Sequence, residues 1–171
     1  MELLRQLVRA IPDFPKPGIL YRDITPVLED ANGLREAVAA LAQPFRDETI
    51  DRVLGMESRG FIFGAAVALE LGAGFVAARK PGKLPYNTVS AKYELEYGTD
   101  ELEVHTDSIE AGQRVLIVDD LIATGGTAAA AIELVQRSGG DVVGCSFLIA
   151  LDDLRGSDRL ETDRVHCVIH Y

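Results

Sequence analysis

Between Arg52 and Leu151, short apolar, β-branched runs alternate with segments of helical periodicity, and this alternation restricts the chain to a parallel sheet covered by helices. Arg52–Met56 and Gly74–Ala78 read as strands, as do residues 114–118 and 142–151. Residues 60–71 and 127–138 read as helices, the second stopped by Gly139 and Gly140. Upstream, Leu34, Val38 and Leu41 recur at spacings of four and three, which predicts an amphipathic helix over 33–46. The expected fold is α/β, with a central, mostly parallel sheet flanked by helices.

Two stretches interrupt this order. Residues 11–26 carry Pro12, Pro15, Pro17 and Gly18, which forbid a regular helix and force an extended path over the surface. Residues 80–86 are equally loop-like. Beyond them, 92–97 and 101–105 alternate with period two around Gly98, which predicts a β-hairpin projecting beside the main sheet.

A chain of 171 residues has the length of one domain and room for a real core. It contains no uninterrupted apolar run of about 18 residues, which leaves no candidate membrane helix. Glu2, Arg5 and Arg9 break up its opening, so no secretory signal is visible. Cys145 and Cys167 form no CxxC pair and no ligand-like cluster with His105, His166 or His170; they read as plain thiols of a cytoplasmic protein. A net charge of −10 opposes binding to a nucleic acid, whose phosphates need clustered Lys and Arg. Arg79, Lys80 and Lys83 nevertheless fall within five positions, a cationic spot suited to a small phosphorylated ligand.

The chemistry is most legible in Val115-Leu116-Ile117-Val118-Asp119-Asp120-Leu121-Ile122-Ala123-Thr124-Gly125-Gly126-Thr127. A buried strand ends in paired acids, and a turn of small residues then opens a helix. The glycines permit close backbone approach, and the first N–H groups of the helix are unpaired donors carrying partial positive charge, so a phosphate monoester fits there. Thr124 and Thr127 add hydroxyls. Asp119 and Asp120 would repel that anion, so their role is to accept hydrogen bonds from sugar hydroxyls or to hold a cation through water. Phosphate, sugar and Mg²⁺ together suggest a phosphoribosyl ligand. The pattern is neither a P-loop, which needs Lys after its second Gly, nor a dinucleotide fingerprint.

This segment resembles the signature with which type I phosphoribosyltransferases bind phosphoribosyl pyrophosphate (PRPP). The resemblance spans nearly the whole chain and narrows to the adenine phosphoribosyltransferases at PDFPKPGILYRDITP, GMESRGFIFG, RKPGKLP and YELEYG. It implies a type I fold with a small hood over about 11–30, a flexible loop and hairpin flap over about 80–105, and transfer of phosphoribosyl from PRPP to adenine, giving AMP and pyrophosphate. Mg²⁺ would be carried with PRPP, without a direct protein metal site, in a homodimer.

Residue by residue, the resemblance implies that Ala123, Thr124, Gly125, Gly126 and Thr127 enclose the 5′-phosphate, while Asp119 and Asp120 meet the ribose. Glu57, Ser58 and Arg59 form the pyrophosphate loop, with a non-proline cis peptide at Glu57-Ser58, and Arg79, Lys80 and Lys83 help neutralise pyrophosphate. Leu20, Tyr21 and Arg22 bind adenine, Tyr21 by stacking and its neighbours through backbone groups. A 6-amino group wants an acceptor and the adjacent N1 a donor, which an extended strand supplies. Glu96 is the catalytic residue, exchanging a proton on the imidazole side of the base, and Tyr97 closes the flap. Two alternatives stay open: a phosphoribosyltransferase for guanine, xanthine, hypoxanthine or orotate, and a PRPP-sensing regulator without turnover.

Overall fold

The computed structural model describes residues 1–94 and 99–171. In chain order its elements are α1 (Glu2–Leu7), β1 (Arg9–Pro12), β2 (Leu20–Asp23), α2 (Thr25–Glu29), α3 (Ala31–Ala42), β3 (Arg52–Met56), α4 (Arg59–Leu71) and β4 (Gly74–Ala78). They continue with β5 (Thr88–Glu94), β6 (Thr99–His105), β7 (Arg114–Ile122), α5 (Gly126–Arg137), β8 (Asp141–Ala150) and β9 (Val165–His170).

Five strands form one sheet in the order β4-β3-β7-β8-β9, and every neighbouring pair is parallel. Consecutive residues of β7 show why its sequence reads as an unbroken apolar run. Val115 and Ile117 join one core with Ala131, Leu134 and Val135 of α5, whereas Leu116 and Val118 join a second core with Leu41 of α3 and Phe63 and Val67 of α4. The sheet is thus covered on both faces, and its carboxyl ends are left for the loops after β3 and β7.

The expected strands and helices are present, with shifted ends. The helix expected over 33–46 begins at Ala31, because the Asp30 carboxylate accepts hydrogen bonds from the N–H groups of Asn32 and Gly33 at 3.0 and 2.7 Å. It ends at Ala42, and a 3-10 turn, Gln43–Phe45, follows around Pro44. Helix α4 stops at Gly72, whose φ of 69° suits a glycine.

The proline-rich stretch is partly ordered as sheet: β1 and β2 pair antiparallel from Arg9↔Asp23 to Pro12↔Leu20. Their connection includes a cis Phe14-Pro15 bond, and the Asp13 carboxylate accepts the Gly18 N–H at 2.7 Å. The β5–β6 hairpin differs from the expected projecting ribbon. Ala91, Tyr93, Leu102 and Val104 are buried in the core shared with α5, and Arg79 forms an antiparallel bridge with Glu103. Its tip, with Glu96 and Tyr97, lies outside the described residues.

Candidate active site

Parallel strands expose their binding crevice at their carboxyl ends. There the loops after β3 and β7 enclose a cleft of about 360 Å³, lined by Glu57, Ser58, Arg59 and Lys80 on one side and by Asp119, Asp120 and Ala123 through Thr127 on the other. Met56, Leu102 and Phe147 supply apolar surface. The sequence reading did not single these out, because they look like ordinary strand residues.

The turn after β7 has the geometry of an anion cradle. Gly125 takes φ of 82°, α5 starts at Gly126, and no side chain among the described residues caps the helix. The first-turn N–H groups therefore remain available, with the positive end of the helix dipole behind them.

The carboxylates occupy different environments. Asp120 is buried and accepts from Arg59 Nε at 2.5 Å. Burial and the neighbouring Asp120 charge push the Asp119 carboxyl well above the usual range; the Asp120 N–H, donating at 2.9 Å, and Arg59 offset this only in part. Burial opposes the charge on Arg59, but Asp120 outweighs it and holds that guanidinium firmly protonated. Space is equally tight: a Cβ at Gly60 would come within 2.6 Å of Asp119 Oδ1. Glycine at the start of α4 lets the two loops approach.

The Glu57-Ser58 peptide is cis, as the resemblance implied. The Glu57 carboxylate is drawn to the basic loop, meeting Arg79 Nε at 3.2 Å and forming an ion pair with Lys83. Desolvation raises its pKa, yet hydrogen bonds from Lys83, the Lys80 backbone and Arg79 prevail and leave it lowered. Of the three basic residues, Lys80 lines the cleft, whereas Arg79 and Lys83 reach it through Glu57. Lys80 is itself held by the Tyr93 hydroxyl at 3.0 Å and by an ion pair with Asp100. Neither partner was foreseen, since a hairpin's register decides which strand residues face a neighbouring loop.

The expected base-binding residues Leu20, Tyr21 and Arg22 lie on β2, outside the lining of the cleft. Tyr21 packs edge-on against Phe14 with ring centroids 5.1 Å apart, and Arg22 stacks 3.7 Å over the Tyr171 ring. At the end of the same strand, hydrogen bonds from Thr25 lower the Asp23 carboxyl pKa, and the charges of Arg9 and Arg59 add to this. Among the described residues no cluster of three or more His, Cys, Asp or Glu could hold a metal ion.

Residues 26–169 match the phosphoribosyl transferase domain model. An adenine phosphoribosyltransferase of Methylococcus capsulatus is 57% identical over the full length of both chains. The chain belongs to the adenine phosphoribosyltransferase family. Among solved structures, the adenine phosphoribosyltransferase of Rhodothermus marinus is 56% identical and superimposes with a TM-score of 0.95, covering 99% of this chain and 97% of its own. The adenine phosphoribosyltransferase of Saccharomyces cerevisiae, complexed with an imino-altritol bisphosphate and adenine, gives 0.93 at 41% identity, covering 98% of this chain and 97% of its own. The type I fold expected from the sequence is therefore the fold of this chain.

Proposed function

We propose that the cleft transfers phosphoribosyl from PRPP to adenine, forming AMP and pyrophosphate in purine salvage. The observation that carries this reading is the juxtaposition, across one cleft, of an uncapped glycine turn beside two carboxylates and a loop bearing Arg59 and Lys80. One side suits a sugar phosphate, the other a leaving pyrophosphate. Membership of a family whose relatives are adenine phosphoribosyltransferases supplies the base.

In this reading the N–H groups of the turn and the hydroxyls of Thr124 and Thr127 bind the 5′-phosphate, and Asp119 and Asp120 accept from the ribose hydroxyls. Arg59, now paired with Asp120, turns toward pyrophosphate, joined by Lys80 and, behind Glu57, by Arg79 and Lys83. Glu57 serves as the anchor of the basic loop; its carboxylate would repel the pyrophosphate itself. Tyr21 stacks on adenine while Leu20 and Arg22 read its edge, which requires β2 to lean over the cleft. Glu96 exchanges the base proton and Tyr97 closes the flap. Fixing both reactants and the developing charge is most of the protein's work.

Mg²⁺ would be carried by the oxygens of PRPP, with Asp119 and Asp120 at the cleft reaching it only through water. When bound with PRPP it offsets the charge of the leaving group. We also read the chain as a cytoplasmic homodimer. Free Cys145 and Cys167 fit a reducing compartment, and exposed Ile62 and Leu69, seven residues apart on α4, form an apolar stripe available to a second copy.

The test is pyrophosphate release from PRPP and Mg²⁺ with adenine, hypoxanthine, guanine, xanthine and orotate supplied separately. Release with adenine alone is expected. Preference for another base would overturn the assignment of β2, and PRPP binding without turnover on any base would overturn the enzymatic reading.

A further inference from the structure

Behind the phosphate turn lies a segment to which the mechanism assigns nothing. Two short 3-10 turns, Asp152–Leu154 and Gly156–Arg159, connect β8 to β9. Their beginning is tied to the sheet: Leu151 N–H donates to Ile122 C=O at 3.0 Å, Asp152 N–H to Tyr171 C=O at 2.9 Å, and the Asp152 carboxylate meets His170 Nδ1 at 2.9 Å. The segment is therefore a braced part of the sheet's end.

Gly156 is buried against the phosphate turn with no room for a side chain. A Cβ there would stand 2.3 Å from the Ala123 carbonyl oxygen and 2.8 Å from Gly125 N; reciprocally, a Cβ at Gly125 would stand 2.3 Å from the Gly156 carbonyl oxygen. All these obstructing atoms are backbone, which cannot rotate aside. Gly156 itself has no positive φ, so its requirement is for space and not for conformation. From the exposed side, Arg159 Nη1 donates to the Thr124 carbonyl at 3.4 Å. A trans peptide carries its C=O and N–H on opposite sides, so holding the Thr124 oxygen toward Arg159 turns the Gly125 N–H away from it.

We propose that Gly156 and Arg159 are positioning residues of the phosphate site. Together they form a fixed rear wall that holds Ala123, Thr124 and Gly125 in the anion-binding conformation without touching the ligand. The inference rests on the reading of the cleft as a phosphoribosyl site.

The experiment compares AMP and Mg²⁺-pyrophosphate binding by calorimetry, with PRPP kinetics alongside, in the wild type, Gly156→Ala, Arg159→Gln and Arg159→Lys. Displacement of a binding loop by an ångström can cost about a hundredfold. Gly156→Ala is expected to weaken AMP and raise the PRPP KM by about ten- to a hundredfold, with pyrophosphate affinity and kcat within about twofold. Arg159→Gln should weaken AMP by about two- to tenfold, partly restored by Arg159→Lys.

Wild-type AMP affinity in folded Gly156→Ala, or equal losses of AMP and pyrophosphate, would overturn the proposal. If Gly156→Ala does not fold, Arg159→Gln decides, since its exposed side chain can be removed without a core defect; unchanged AMP affinity there overturns the proposal. A wild-type chain that binds neither AMP nor PRPP would instead refute the reading of the cleft.

Discussion

In the proposed reaction, the placement of Asp119 serves ribose binding at the expense of stability. Its carboxyl pKa is raised on folding, chiefly by burial and then by Asp120, so ionisation is harder in the folded chain than in the unfolded one. The resulting penalty is complete above the raised pKa and fades as pH falls toward the ordinary carboxylate range. Asp119→Asn is therefore expected to melt higher than the wild type at neutral pH, with the advantage shrinking on acidification, while ribose binding suffers. A pH series of thermal melts checks this; a neutral-pH Tm below the wild type would contradict it. Glu96, although outside the described residues, carries the sharpest kinetic prediction. Glu96→Ala should lose about 10²- to 10⁴-fold in kcat with little change in PRPP affinity, measured by single-turnover kinetics. Asp119, Asp120 and the 123–127 turn were legible in the sequence because strand, acids, glycines and helix follow one another along the chain. Tyr93, Asp100, Gly156 and Arg159 were not, because their contacts depend on how distant segments pack.

Among the elements, α4 and β7 approach tightly where Gly60 faces Asp119. Gly60→Ala would drive a methyl into the carboxylate, with Asp119 Oδ1 at 2.6 Å and the Val118 carbonyl at 3.2 Å. The expected result is a loss in kcat/KM for PRPP of at least about tenfold, reflecting displacement of either the loop after β3 or the acids near the end of β7. Unchanged kinetics would show that the two loops need not approach so closely. Strands β3, β4, β7 and β8 and helix α5 were readable from local pattern alone, since strands buried in a covered parallel sheet are continuously apolar. Helix α1, strand β9 and the antiparallel pairing of β1 with β2 were not: α1 is only six residues long, and the pairing lies beyond the reach of local periodicity. The hairpin was foreseen, but its burial against α5 was not, because a period-two pattern says which face is apolar without saying what covers it.

Across the whole molecule, two cores share one sheet. Leu116→Ala and Ile117→Ala remove adjacent side chains from opposite cores, both fully buried, and each should cost about 2–5 kcal/mol in urea unfolding. Their effects should be close to additive because the sheet separates the two cavities. Self-association belongs to this scale too. Leu69 is 85% exposed on α4, and Leu69→Glu should shift a dimer toward monomer in sedimentation while leaving the fold intact. The central claim is that one cleft gathers phosphate, ribose, base and pyrophosphate, and a crystal structure of the chain with AMP and Mg²⁺-pyrophosphate tests it most directly. The account predicts the 5′-phosphate on the 123–127 turn, ribose hydroxyls on Asp119 and Asp120, pyrophosphate against Arg59, and adenine beneath Tyr21. Well-defined AMP bound elsewhere, with this cleft free of phosphate, would contradict it.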